Sequence, residues 1–360
     1  MADAGESPTG SSGTRVLATG IGSLPGEDFA EAVRVVLGEL PDLPHLPELA
    51  ARGAIAGMVG RTLAVLADLD ADLQPAGWRL TGSTGSPGVD QRRARSLLGQ
   101  DLDTLEELAD GTGQFRAGGA FKIQVTGPWT LAASVERPRG DRLLADHGAR
   151  RELAQALAEG VRHHLNDVRR RLPGAARLIV QLDEPALAAV LAGRVPTASG
   201  FGRHRSIHPP EASQALEWVL GAIVEEGGEP WVHSCAPGTP LGLLRGAMRE
   251  AGTGSAAASG ARGLAVDLSQ LSAGDHDQLA EALEAGETVA LGVVPSLDPD
   301  APLSDKQVTE RVLRWLDMVG LDPHEVSLAI TPTCGLAGAG EAWSRRAMAL
   351  ARTSATSLSD

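Results

Sequence analysis

The sequence lacks any apolar run approaching the ~18 residues that a transmembrane helix requires, and no charged-then-apolar leader opens it. A membrane span and a secretion signal are therefore not expected, and the reading is cytoplasmic. Basic charge is also in deficit, with 32 lysines and arginines against 46 aspartates and glutamates, a net charge of -14. A surface of that sign opposes nucleic acid and anionic lipid unless a local basic patch intervenes. Two arginine clusters occur. Arg92, Arg93 and Arg95, with Asp90 and Asp101 near by, read as a solvated helix face, and Arg169 to Arg171 as a helix end. Neither nucleic acid nor membrane is thus an expected partner. Cysteine is scarce too: Cys235 and Cys334 are the two present, and in the reducing cytosol they read as thiols rather than a disulfide.

The first 13 residues are small and polar, too poor in apolar surface to order themselves, and residues 353–360 share that character. They read as a disordered leader and a flexible tail around one domain, residues 14–352. The Ala/Gly/Ser tract from Ala251 to Gly263 reads as a loop and not as a boundary. Within the domain short apolar runs alternate with helical patterns. The strand candidates are Val16 to Ile21, Phe121 to Val125, Leu178 to Val180, Pro230 to Val232, Leu264 to Val266, Thr288 to Val294 and Val326 to Ile330, with a strand or hairpin near Leu73 to Leu80. The proline-rich PDLPHLPEL reads as a stiff, extended loop, and His45 within it as a rim or surface residue. About eight strand-helix units predict an α/β fold, a (β/α)₈ TIM barrel, over a doubly wound open sheet. The barrel explains why polar residues stand at strand ends: Ser23, Thr126, Asp183, His233 with Cys235, Asp267 and Cys334. In a barrel those ends converge on one face. For Ser23 and Thr126 a cap or turn role is the preferred reading.

The stretch EPWVHSCAP holds the most chemistry. Side chains alternate along a strand, so His233 and Cys235 project together where the strand gives way to a loop. Alone, H-x-C also describes a satisfied histidine beside a buried thiol, because zinc sites need three or four ligands. Asp183 suits either an N-cap or an ion pair with an ammonium. Trp129 suits core packing or stacking on a ligand.

In order along the chain IGSLP, GPWT, LDEPAL, HSC, a strand-end acid and PTCG resemble the catalytic domain of cobalamin-independent methionine synthase, within the wider grouping of zinc methyltransferases and uroporphyrinogen-decarboxylase-like barrels. The resemblance covers most of residues 16–350. It implies a Zn²⁺ ion held by His233, Cys235 and Cys334, with Asp267 where the family carries a glutamate as fourth ligand. It also implies homocysteine bound through Ile21 and Ser23 of the I-G-S segment and through Asp183 of D-E-P. A coordinated thiol is deprotonated at neutral pH, so this ligand set makes a sulfur nucleophile.

The chain departs from the family on the methyl-donor side. Ser134 stands where the family has a folate-stacking tryptophan, Ala189 where it has a glutamate after D-E-P-A-L, and Leu297 near its proton-donating histidine. Methylfolate loses a poor nitrogen leaving group and needs a proton, whereas a methylcorrinoid leaves as cobalt(I) and does not. The expected donor is therefore a methylcorrinoid, delivered by a corrinoid protein as partner, with 5-methyltetrahydrofolate the alternative if His204 or His208 supplies the proton. Two other readings compete: a zinc- and thiol-binding protein without turnover, and a uroporphyrinogen-decarboxylase-like enzyme, which three soft ligands oppose.

Overall fold

The computed structural model describes residues 15–82, 86–113, 115, 118–253 and 262–360. The leader and residues 254–261 of the Ala/Gly/Ser tract lie outside the described residues. In chain order the elements are β1 (Leu17–Ala18), α1 (Phe29–Glu39), α2 (Met58–Val65), a hairpin of β2 (Ala71–Gln74) and β3 (Gly77–Leu80), α3 (Val89–Thr112), β4 (Gly119–Thr126), α4 (Pro128–Ser134), α5 (His147–Arg171) and β5 (Ala175–Asp183). There follow α6 (Leu187–Leu191), α7 (Pro209–Glu225), β6 (Glu229–Ser234), α8 (Leu241–Ala251), β7 (Gly263–Asp267), α9 (Ala273–Glu284), β8 (Thr288–Val294), α10 (Asp305–Val319), β9 (Leu328–Pro332) and α11 (Glu341–Ser359). Seven strands pair in parallel in the order β1-β9-β8-β7-β6-β5-β4. Parallel strands are covered on both faces, which is why β8, TVALGVV, is buried throughout.

The curled sheet is closed by the segment that the sequence presents as a loop. Leu24 N donates to Glu48 O at 2.9 Å and Glu48 N to Gly22 O at 3.1 Å. On the other side Leu46 N donates to Lys122 O and Lys122 N to Pro44 O, both at 2.9 Å. Residues 43–48 thus fill the gap between β1 and β4 as an eighth stave. Pro44 and Pro47 lack an N–H, so the ladder is interrupted and only isolated bridges form. His45 is consequently buried at 1 % exposure, not on a rim or surface.

The barrel interior confirms the closure. Leu43, Ala120, Ile179, Trp231, Ala265, Ala290 and Ala329, with Leu17 against them, form one cluster that draws a residue from each of the eight staves. One indole fits there because four of its companions are alanines. Gly263 belongs to the same fit, since a Cβ on it would meet the Trp231 ring.

The C-terminal segment expected to be flexible instead continues α11, with Ser354, Ala355 and Leu358 buried and Ser359 Oγ accepting from Val16 N at 3.0 Å. Its few apolar residues fall on the face that α11 turns to the barrel.

Helix α5 carries a titration that the fold itself imposes. Burial first, and then the Arg61 charge, lowers His164 from 6.5 to about 4. Between those values the unfolded chain binds more protons than the folded one, so the stability is present above this window and is lost as pH falls through it. His164→Leu should flatten the acid-side loss by on the order of 3 kcal/mol. Urea unfolding across this pH range measures it, and a variant with the wild-type pH profile would show that His164 titrates normally.

Candidate metal and thiol site

Strand alternation sets the site. Asp183 at the end of β5 lies in register with His233 of β6, so both reach the same end of the barrel. Ile21, Ser23, Glu48, Asp183, His233, Cys235 and Cys334 all line one cavity of about 230 Å³, room for a molecule the size of a small amino acid.

His233 is 3 % exposed, and its Nδ1 meets Ala265 O at 3.0 Å. With Nδ1 as the donor, Nε2 keeps its lone pair. Burial drives the imidazole down to about 4, so it is neutral at physiological pH, the form that binds metal. Cys334 comes from the loop after β9. That loop is fastened to the I-G-S segment by Leu336 N donating to Ser23 O at 2.8 Å, and Gly335 permits the approach because a Cβ there would collide with Ser23 Oγ.

One donor atom each from His233, Cys235 and Cys334 lies within 4.8 Å of the others. The two cysteines are joined as a disulfide, with Cα atoms 5.8 Å apart, where the sequence predicts thiols. The convergence that lets the sulfurs bond is also what one shared metal demands, and only the reduced pair can ligate. The donors suit zinc: one imidazole with its other nitrogen on a backbone carbonyl, two sulfurs once reduced, and room for an open position. Asp267 does not join them. Its Oδ1 accepts from Ser269 N at 2.9 Å and Ser269 Oγ at 2.7 Å, and the side chain caps the turn after β7.

Beneath the cavity lies a buried polar network. Lys122 Nζ donates to Gln181 Oε1 at 2.7 Å and to Ile21 O at 3.0 Å; Gln181 Nε2 donates to Asp183 Oδ1 at 2.7 Å and to Ile21 O at 2.9 Å. Burial drives Lys122 down to about 7, against the pull of Asp183 and Glu48. Burial also pushes Asp183 well above the usual carboxylate range, with Glu48 adding to the rise and Lys122 opposing it. Glu48 is raised by burial and restrained by Arg61, whose Nε lies 3.6 Å from Glu48 Oε1.

Glu184 ties two motifs together. Its carboxylate accepts from Trp129 N at 2.9 Å, Thr130 N at 2.8 Å and Thr130 Oγ1 at 2.7 Å, which fixes the GPWT turn onto β5. Trp129 is 1 % exposed and donates through Nε1 to Ala212 O, so it packs in the core and does not stack on a ligand. Leu297, expected near a methyl donor, is 58 % exposed. His204 is buried with Nε2 3.3 Å from Asp141, and His208 is exposed at the start of α7; neither lines the cavity.

Glu48, Lys122 and Gln181 escape a reading by strand ends. Glu48 hides in the proline-rich stave. The other two did leave a signal: polar residues alternate along FKIQVT and along VQLD, and in a barrel strand buried on both faces that period points inward.

The family model for the catalytic domain of cobalamin-independent synthase matches residues 118–357. No curated protein matches. Among solved structures, a xylose isomerase domain-containing protein from Salmonella typhimurium LT2 is similar at 14% identity and a TM-score of 0.31, over 71% of this chain and 92% of that one. That likeness is too slight to carry an argument. No described helix is long and apolar enough to cross a membrane.

Proposed function

Since the chain belongs to the family of cobalamin-independent synthase catalytic domains, we propose that it is a zinc-dependent methyltransferase acting on the thiol of homocysteine, with a methylcorrinoid as preferred donor. The observation that carries this reading is that His233, Cys235 and Cys334 meet in the same cavity as two buried carboxylates, Asp183 and Glu48. A soft-metal donor set and a floor of two carboxyl groups suit the two ends of an amino-acid thiol.

His233, Cys235 and Cys334 would hold zinc, which when bound supplies a thiol made acidic enough to be deprotonated at neutral pH. Asp183 and Glu48 would take the substrate ammonium, and the Ser23 hydroxyl is a donor suited to its carboxylate. Fixed at its amino-acid end, the substrate would present its sulfur to His233, Cys235 and Cys334, which line the same cavity. Transfer forms one S–C bond as the bond from the methyl carbon to the donor breaks, and the donor leaves with the electron pair. A nitrogen leaving group needs a proton at that moment, and Ser134, Ala189 and Leu297 offer no acid. His204 faces Asp141. A corrinoid leaves without one, and a corrinoid protein would be the partner that brings it.

The test is methionine formation by reduced, zinc-loaded protein with homocysteine and either methylcobalamin or methyltetrahydrofolate, mono- and triglutamylated. Methylcobalamin should be the faster donor, by an amount that reflects the ~10²–10⁴ contribution of a positioned acid. Faster turnover with either folate would overturn the donor assignment. No methionine with any donor would overturn the methyltransferase reading in favour of a zinc and thiol binder.

A further inference from the structure

We infer that Lys122 is a positioning residue that makes the site select thiols bearing an ammonium group, by fixing the Gln181 amide against Asp183. The inference rests on the homocysteine reading and adds to it a residue that touches no substrate.

Lys122 has no exposed surface, and it sits inside a barrel strand where a methionine would fill the same space without a charge to desolvate. Its amine donates to the Gln181 oxygen, which therefore faces it. That choice settles the other end of the amide. Gln181 Nε2 is turned to Asp183 Oδ1 and to Ile21 O, and the second Asp183 oxygen is left for the cavity that this residue lines. With the amide reversed, its NH₂ would oppose the Lys122 ammonium and its oxygen would oppose the Asp183 carboxylate and the Ile21 carbonyl. Lys122 thereby decides that Asp183 is aimed and hydrogen-bonded before substrate arrives, as preorganisation requires.

The groups around the lysine fit this role. Asp183 from β5 and Glu48 from the proline-rich stave attract it, while His45 and His233 feel its positive charge. Arg61 is engaged elsewhere, between Asp101 and Glu48. Lys122 also donates to the Ile21 carbonyl, so the I-G-S segment is tied to Asp183 through Lys122 and Gln181 together.

The experiment compares homocysteine with 4-mercaptobutanoate, which has the same carbon chain, thiol and carboxylate but no amine, by calorimetry on reduced, zinc-loaded protein. Wild type should prefer homocysteine. Lys122→Met should weaken homocysteine by about tenfold to a hundredfold and leave mercaptobutanoate within about twofold. Gln181→Glu keeps the side-chain volume and an acceptor for Lys122 but cannot donate to Asp183, and it should lose the same preference; this variant decides if Lys122→Met does not fold. The double variant should lose little more than either single one, because both act through one contact. Equal weakening of both thiols, additive losses, or a preference kept in the variants would overturn the role of Lys122 alone. A wild type that binds both thiols equally would overturn the homocysteine reading and this inference with it.

Discussion

Changing Cys334 to serine should yield a folded protein that no longer retains zinc. Wild type purified under reducing conditions without chelators should carry about one zinc per chain by elemental analysis, since three soft ligands and an open position make a complete catalytic set. Serine keeps the shape but removes the sulfur. His233 and Cys235 alone hold metal poorly, so the loss should exceed the 10–100-fold that outer-shell changes cost. Cys235→Ser should do the same, because each sulfur belongs to the one cluster. Asp267→Ala should leave zinc largely in place, since that carboxylate is engaged with Ser269. Wild-type protein that is reduced, never exposed to chelators and yet metal-free would refute the zinc assignment. Retention of metal by the serine variants would place the metal elsewhere.

Arg61→Met should cost the fold about 3–5 kcal/mol, the usual penalty for stranding one partner of a buried ion pair. Arg61 is 5 % exposed and joins Asp101, at 2.8 Å from Oδ2, to Glu48. Asp101 keeps a second partner, Arg52 at 2.7 Å, which also lies 5.3 Å over the Phe29 ring. Glu48 would be the group left exposed to the penalty. Its carboxyl is already raised by burial, and Arg61 restrains it most, ahead of Gln124 and Lys122. In the variant the folded state would hold a proton that the unfolded state releases, so stability should fall as pH rises above the usual carboxylate range, and the deficit should be larger at a mildly alkaline pH than at a mildly acidic one. Urea midpoints at both pH values report this. A deficit below about 1 kcal/mol, independent of pH, would mean that solvent reaches Glu48 and screens it. A change at Glu48 should also be felt in the cavity, because its carboxylate is part of the floor.

The sequence by itself determined the strand and helix alternation, and so the barrel, because apolar runs and the 3.6-residue pattern are local properties. It also marked His233, Cys235, Cys334 and Asp183, since a soft or charged residue at the end of an apolar run is visible without knowing what it faces; Ser23 stood out as a polar strand-end residue, and Ile21 entered only through the resemblance of the I-G-S segment. What decides an eighth stave is not local. Residues 43–48 read as a loop because prolines delete the N–H groups of a ladder, and only the edges of β1 and β4, far apart in the chain, supply partners for the N–H groups that remain. Glu48 entered the site with that stave, and His45 the interior. The final turns of α11 were likewise ordered by contact with the barrel and with Val16, which a polar composition cannot reveal. Asp267 shows the converse. Its position at a strand end was legible, but whether its carboxylate turned to the cluster or to Ser269 depended on geometry beyond the strand. The Lys122, Gln181 and Asp183 chain joins β4 to β5, and the direction of its hydrogen bonds exists only once those strands are in register. Residue type is fixed along the chain, whereas the desolvation and charge that give a residue its chemistry come from neighbours that only the closed barrel brings together.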